Sequence, residues 1–212
     1  MARDQGLLET AARSGAAFLR LYRWSPACLS LGRNEPLDGY DAAAIARLGI
    51  DVVRRPTGGR AVWHEQEVTY AVAAPVAVFG SLREGYAAIH AHIASALRSL
   101  GAPATLAPRP KALSPLSSGA CFATTAGGEV MVAGRKLVGS AQVRQGGTFL
   151  QHGSILLAGS QDVVAAVSRQ PAAVSQHTTL QQVLGRTVTF SEVADAMRLA
   201  FDSGAVRTAV QS

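Results

Sequence analysis

Between Ser118 and Leu157 the chain reads SGACFATTAGGEVMVAGRKLVGSAQVRQGGTFLQHGSILL. Ala133-Gly134-Arg135 has the punctuation of a tight hairpin turn, with Lys136 opening the returning strand. The stretch closes on Gln151-His152-Gly153-Ser154 in a strand-like run. A hairpin commits its flanks to antiparallel pairing, and this one also disposes chemistry: Cys121 precedes Lys136 by fifteen positions. A thiol becomes a useful nucleophile when a nearby cation lowers its pKa. The fold therefore has one thiol and one ammonium to bring together across a turn.

The other 172 residues of the 212 supply helices and further strands. Asp4 to Ala17 carries Leu7, Leu8, Ala11 and Ala12 on one helical face, and Phe18 to Trp24 alternates like a half-buried strand. Ala27 to Gly32 reads as the next strand, with Cys28 a small core residue inside it. A helix over Asp41–Leu48, with Asp41 as N-cap, leads through Gly49 to a strand over Ile50–Arg54. Val62 to Ala74 is β-like around a polar Glu65-Gln66-Glu67 turn, and Ser81 to Leu100 is the longest helical pattern. Ala102 to Gly119 holds four prolines and reads as a long irregular connection, which delivers Cys121. Helices over Gln161 to about Arg169 and Ser191 to about Phe201 follow, separated by a polar loop. The pattern gives one domain over 1–203 and a frayed tail over 204–212.

Composition narrows the function classes. With 48% hydrophobic and 16% charged residues the chain is an ordinary folded protein. No apolar run reaches the roughly 18 residues of a membrane span. The N-terminal MARDQGLLETAARSG has early charges and no apolar signal core, so a cytoplasmic protein is expected. Two distant cysteines form no C-x-x-C, so no metal site is implied, and free thiols are preferred to a 28–121 disulfide. The net charge of +6 suits an acidic partner. Nucleic acid is disfavoured, because the basic residues are scattered and lack interleaved aromatics.

The segment Arg54-Arg55-Pro56-Thr57-Gly58-Gly59-Arg60-Ala61 offers glycine backbone for close approach and arginines as fixed donors for phosphate or carboxylate. It is neither a Walker A loop nor G-x-G-x-x-G. Each chemical candidate also has a plain structural reading. Lys136 beside a hairpin turn reads, taken alone, as a solvated charge guarding a strand edge. His64 and His152 are each weak alone. Cys121 stands open between a buried filler and an accessible nucleophile.

Taken together, RRPTGGRAVWH (54–64), EVTYAV (67–72), ACF (120–122), GRKLVGSAQVR (134–144) and LQHGSILL (150–157) resemble the biotin/lipoate ligase and transferase superfamily. The likeness is to its octanoyltransferases and lipoate–protein ligases, in family order over roughly 1–203. It implies a mixed α/β (α+β) domain with a largely antiparallel central sheet backed by helices. It further implies an acyl pocket beside the 54–61 loop and a Lys136 that contacts the acyl carbonyl or its adenylate. The carried-over binding residues are Arg54, Arg55, Gly58, Gly59, Arg60, Ala61, His64, Tyr70, Gly139, Ser140, Ala141, Gln142, His152 and Gly153.

Two mechanisms exist in the family. ACF and its interval to Lys136 agree with the cysteine-dependent branch, in which octanoyl passes from acyl carrier protein through a Cys121 thioester to the lysine of a lipoyl domain or a glycine-cleavage H-type protein. That reading needs no cofactor and expects a monomer. The alternative is a lipoate–protein ligase using ATP and Mg, with Cys121 incidental; a third is a non-catalytic lipoyl-domain or acyl-binding relative. Gly128-Glu129 stands where many ligases have Asn-Asp, and the extra C-terminal domain many of them carry is not expected here. Two departures are expected to matter: the family's first strand is absent ahead of the opening helix, and Gly32-Arg33-Asn34-Glu35 lacks a glutamine common near the end of that motif, altering pocket closure.

Overall fold

The computed structural model describes residues 1–108, 127–169 and 177–202, with the backbone of 206–210. In chain order the elements are α1 (Ala2–Ser14), β1 (Ala17–Tyr22), β2 (Cys28–Leu31), α2 (Ala42–Arg47), β3 (Asp51–Arg54), β4 (Val62–His64) and β5 (Glu67–Pro75). Then come α3 (Leu82–Ser99), β6 (Thr105–Leu106), β7 (Val130–Val132), β8 (Arg135–Lys136), β9 (Val138–Gln145) and β10 (Thr148–Leu156). The chain ends with α4 (Asp162–Val167), α5 (Leu180–Leu184), α6 (Phe190–Asp202) and β11 (Val206–Val210).

Local chemistry explains most of these boundaries. Asp41 accepts from the backbone N–H groups of Ala43 and Ala44, and Ser81 from that of Glu84, which caps α2 and α3. Such caps contribute about 1 kcal/mol each. Ala133 and Gly134 both take positive φ (48° and 73°) and join β7 to β8. Gly15 stops α1 in the left-handed region.

The main sheet has the order β11-β1-β5-β10-β9, antiparallel throughout except for the β11–β1 pair. A small sheet, β3-β2-β4, and the β6-β7-β8 ribbon complete the strands among the described residues. One face of the main sheet packs on α3 and α6 through residues such as Leu19, Val72, Phe149, Ile93 and Met197. The opposite face packs on α1 through Leu8, Ala11, Ala71, Ala73 and Leu150. The small sheet has its own core of Leu29, Leu31, Ala44 and Val167 with α2 and α4. The architecture is the mixed α/β one expected, with largely antiparallel sheets backed by helices.

Four local expectations change. Strand β1 is covered on both faces rather than one, because α1 lies over the side that carries Arg20. The polar loop before the last helix contains α5, capped by the Thr179 hydroxyl and ended by Gly185. Helix α6 starts from Thr189 rather than Ser191: Thr189 Oγ1 accepts from Glu192 N and Glu192 Oε2 accepts from Thr189 N, a reciprocal capping box. Finally, 206–210 in the expected tail pairs with β1, where the β-branched Val-Arg-Thr-Ala-Val run covers an otherwise open edge. No helix among the described residues is long and apolar enough to cross a membrane.

Candidate functional site

The glycine-rich loop follows β3 and is tied down by its own arginines. Arg54 Nη1 donates to the carbonyls of Gly32 (2.8 Å), Arg33 (3.2 Å) and Glu35 (2.7 Å). Arg55, buried, donates to the carbonyls of Ser30, Gly58 and Arg60 and to Ser30 Oγ. These guanidinium groups therefore organise backbone. Arg60 is half-buried, and its guanidinium donates no hydrogen bond among the described residues. Gly58 and Gly59 are exposed. A Cβ on Gly32 would lie 2.1 Å from the Gly59 carbonyl oxygen, so the two loops touch backbone to backbone. Glu35, at the departure from the family motif, locks this closure: its carboxylate accepts from Gly32 N, Ala61 N and the Tyr40 hydroxyl.

Beside this loop, between the small sheet and the main sheet, lies a cavity of about 350 Å³ including its open mouth. Its floor is Gly139-Ser140-Ala141 and His152-Gly153-Ser154, on paired strands β9 and β10. Arg55, His64 and Ser30 line it from the loop side, with Tyr22, Trp24 and Met1 nearby. A Cβ on Gly153 would fall 2.4 Å from the Gly139 carbonyl oxygen and 2.8 Å from Tyr70, so glycine is required for the floor to close.

Many lining residues are polar, yet the wall presents almost only carbon. The heteroatoms are turned onto one another. Glu67 Oε1 accepts from His64 Nδ1 (2.7 Å), Ser154 Oγ (2.9 Å) and the Thr69 hydroxyl, while Trp24 Nε1 donates to Thr69. His64 Nε2 lies 2.6 Å from the Ser30 hydroxyl. His64 also stacks on Trp24, with ring centroids 4.7 Å apart.

His152 is held in the same manner. Its Nδ1 faces Asp4 Oδ2 at 3.5 Å and its Nε2 accepts from Thr57 at 2.5 Å, which fastens the glycine-rich loop to β10. Asp4 also accepts from Arg20 Nη1 (2.5 Å) and the Tyr22 hydroxyl. Burial would raise the Asp4 pKa, but the His152 hydrogen bond and the His152 and Arg20 charges outweigh it and hold it below the usual range. Burial lowers the His152 pKa against the pull of Asp4.

Lys136 is not a solvated edge charge. It is 2% exposed and its Nζ lies 2.6 Å from Glu129 Oε1, across the β7–β8 hairpin. Cys121, the proposed nucleophile, lies outside the described residues, as does the rest of ACF. Cys28 is the inert core thiol its run suggested. Burial first, then the Glu67 and Asp51 charges, push its pKa up to about 12.

Tyr70 and Gln142 lie off the cavity, in a polar chain beneath its floor. Gln142 Nε2 donates to Gln151 Oε1, Gln151 Nε2 to the Tyr70 hydroxyl, and Tyr70 lies 2.7 Å from Ser140 Oγ. His90 of α3 completes the chain and was missed, as were Asp4 and Glu67. His90 sits one residue from Ile89 in the apolar helical register, and nothing in its neighbours marks it. Asp4 opens a helix as an ordinary charged residue and Glu67 reads as part of a polar turn, so neither is marked in the sequence. Among the described residues no group of three or more His, Cys, Asp or Glu side chains is arranged to hold a metal.

Residues 1–202 match the family model described as the lipoyl protein ligase A/B catalytic domain. Octanoyltransferase LipM of Moorella thermoacetica is 40% identical over 199 residues, covering 86% of this chain and 72% of that protein. Octanoyltransferase LipM of Kyrpidia tusciae is 45% identical over 163 residues, covering 73% and 59% respectively. The crystal structure of lipoate-protein ligase A bound with ATP superposes with a TM-score of 0.79 at 20% identity, over 100% of this chain and 83% of that one. A structure from work on a bi-partite lipoate protein ligase and its E2 lipoyl domain from Thermoplasma acidophilum gives 0.70 at 20% identity, over 100% and 84%. At such identities the solved structures establish the fold. The family match over nearly the whole chain establishes more: this protein belongs to the lipoyl protein ligase A/B catalytic-domain family.

Proposed function

We propose that this protein is an octanoyltransferase of protein lipoylation. The observation that carries the reading is the carbon-faced cavity whose floor strand follows directly on Lys136. An unbranched acyl chain gains roughly 0.8 kcal/mol per buried methylene in such a slot. The likeness to proteins named octanoyltransferase selects octanoyl as the chain and acyl transfer as the reaction.

The steps balance without a metal or redox partner. The Cys121 thiolate attacks the thioester carbonyl of octanoyl-acyl carrier protein, forming a new thioester and releasing the carrier thiol. The ε-amine of a lysine on a lipoyl domain or H-type protein then attacks that carbonyl. The amide forms, and the Cys121 sulfur leaves and takes up the proton lost by the amine. Lys136 would favour the thiolate and polarise the carbonyl. A net charge of +6 suits encounter with acidic carrier domains, acting on association rate more than on final affinity. The adenylating alternative asks the arginine and glycine loop to cradle the adenylate; Arg54 and Arg55 are committed to backbone carbonyls, which leaves Arg60 and the exposed Gly58-Gly59 for that role.

Intact-protein mass spectrometry after mixing with octanoyl-acyl carrier protein, without ATP, tests the reading. An octanoyl adduct that hydroxylamine removes and Cys121→Ser prevents is the expected result. Acylation of a lipoyl domain only with free acid and ATP would make the protein a ligase.

A further inference from the structure

Beneath the cavity floor, the hydrogen bonds run in one direction. Gln142 donates to Gln151 and Gln151 to Tyr70. At the far end His90 Nδ1 lies 2.7 Å from the carbonyl oxygen of Gly128, an acceptor only, so Nδ1 carries the proton. Neutral His90 then has a bare Nε2, which accepts from Ser140 Oγ at 2.8 Å. With its proton given to His90, Ser140 accepts from Tyr70 at 2.7 Å. Every donor in the series is thereby assigned. His90 and Tyr70 are fully buried, while Ser140, half-buried, also faces the cavity.

The carbonyl at the end of the chain belongs to the residue before Glu129, the carboxylate partner of Lys136. Gly128 has φ +86°, and its N–H bonds Ala107 O while Ala107 N bonds Glu129 O. The turn that presents Glu129 is thus pinned by Ala107, just after β6, on one side and by His90 on the other. We infer that His90 is a positioning residue: it registers the Glu129–Lys136 pair against Ser140 in the floor of the acyl cavity. The inference rests on the proposed role of Lys136 at the acyl carbonyl. Burial holds the His90 pKa down near 4, against the Gly128 hydrogen bond and helped by the Lys136 charge, so the neutral form persists at physiological pH.

The alternative is that His90 is only a satisfied core residue. Imidazole ¹⁵N NMR and transfer kinetics separate the two. In the wild-type protein at pH 7, His90 is expected as the neutral tautomer protonated at Nδ1; the Nε2–H tautomer or an imidazolium would overturn the inference. His90→Leu is expected to lower kcat by up to about 10²-fold through misplacement of Lys136, with KM for the octanoyl donor nearly unchanged. His90→Asn, which keeps an amide donor for Gly128, should recover much of that loss. In a Glu129→Gln background, where the pair is already broken, His90→Leu should cost only a few-fold. Fold losses that simply multiply, or a rise in KM at constant kcat, would leave His90 a structural residue. A wild-type protein inactive with carrier-bound octanoyl overturns the proposed function instead; the same variants are then compared with free octanoate and ATP, while the tautomer is read without any activity.

Discussion

Lys136 Nζ and Glu129 Oε1 stand 2.6 Å apart with both side chains almost wholly withdrawn from solvent. Removing one member of a buried pair leaves the other charge poorly compensated, which typically costs about 3–5 kcal/mol. Glu129→Gln should therefore lower stability by an amount of this order, read as a shift in the urea midpoint at unchanged m-value. Loss below about 1 kcal/mol would mean that the pair is not closed in solution.

The cavity floor makes a sharper steric prediction. Gly153→Ala would place a methyl 2.4 Å from the Gly139 carbonyl oxygen and 2.6 Å from Ser140 Oγ. Overpacking of this sort costs roughly 1–3 kcal/mol, and here it also distorts the strand pair under the acyl chain. Octanoate affinity measured by calorimetry should fall along with the melting temperature. Gly147→Ala meets nothing within 4 Å and serves as the control, with both quantities unchanged.

Glu67 keeps the cavity apolar by collecting the protons of His64, Thr69 and Ser154. All three bonds go to Oε1, while Oε2 has no hydrogen-bond partner among the described residues, so Glu67→Leu, which removes the shared acceptor, obliges these heads to turn away. The ratio of octanoate to 8-hydroxyoctanoate binding should fall several-fold. An unchanged ratio would show that packing, rather than this carboxylate, sets the polarity of the wall.

Acid sensitivity should begin well above the carboxylate range. His90 titrates near 4 in the fold against an ordinary 6.5 because it is buried. Between those values the unfolded chain binds a proton that the native chain does not, so stability rises with pH. It is complete above about 6.5 and is lost as pH falls toward 4, at about 1.4 kcal/mol per pH unit. His152, also lowered by burial, adds with the same sign. Urea unfolding at pH 7 and pH 5 should show the loss, and His90→Asn should flatten the slope. An undiminished slope in that variant would assign the sensitivity elsewhere.

What the sequence determined by itself is what a few neighbouring residues can encode. Asp41 and Ser81 cap their helices because a short side chain reaches an amide two or three positions on. Ala133-Gly134 turns because both residues take positive φ, and the 54–64 and 134–144 motifs were enough to indicate the family. Its fold followed from that resemblance, with the short capped α5 and the Thr189 box hidden among polar residues. Tertiary structure decided where the charges and protons went. Lys136 looked like a surface lysine until the hairpin folded it onto Glu129, and Arg54 and Arg55 looked like free donors until the fold set the carbonyls of Gly32 and Ser30 against them. Asp4 meets His152 across 148 positions, and His90 meets Gly128 across 38. Helical periodicity marks His90 as core and stops there. Its tautomer, and any role it has, depend on which acceptor and which hydroxyl the folded chain places against each nitrogen.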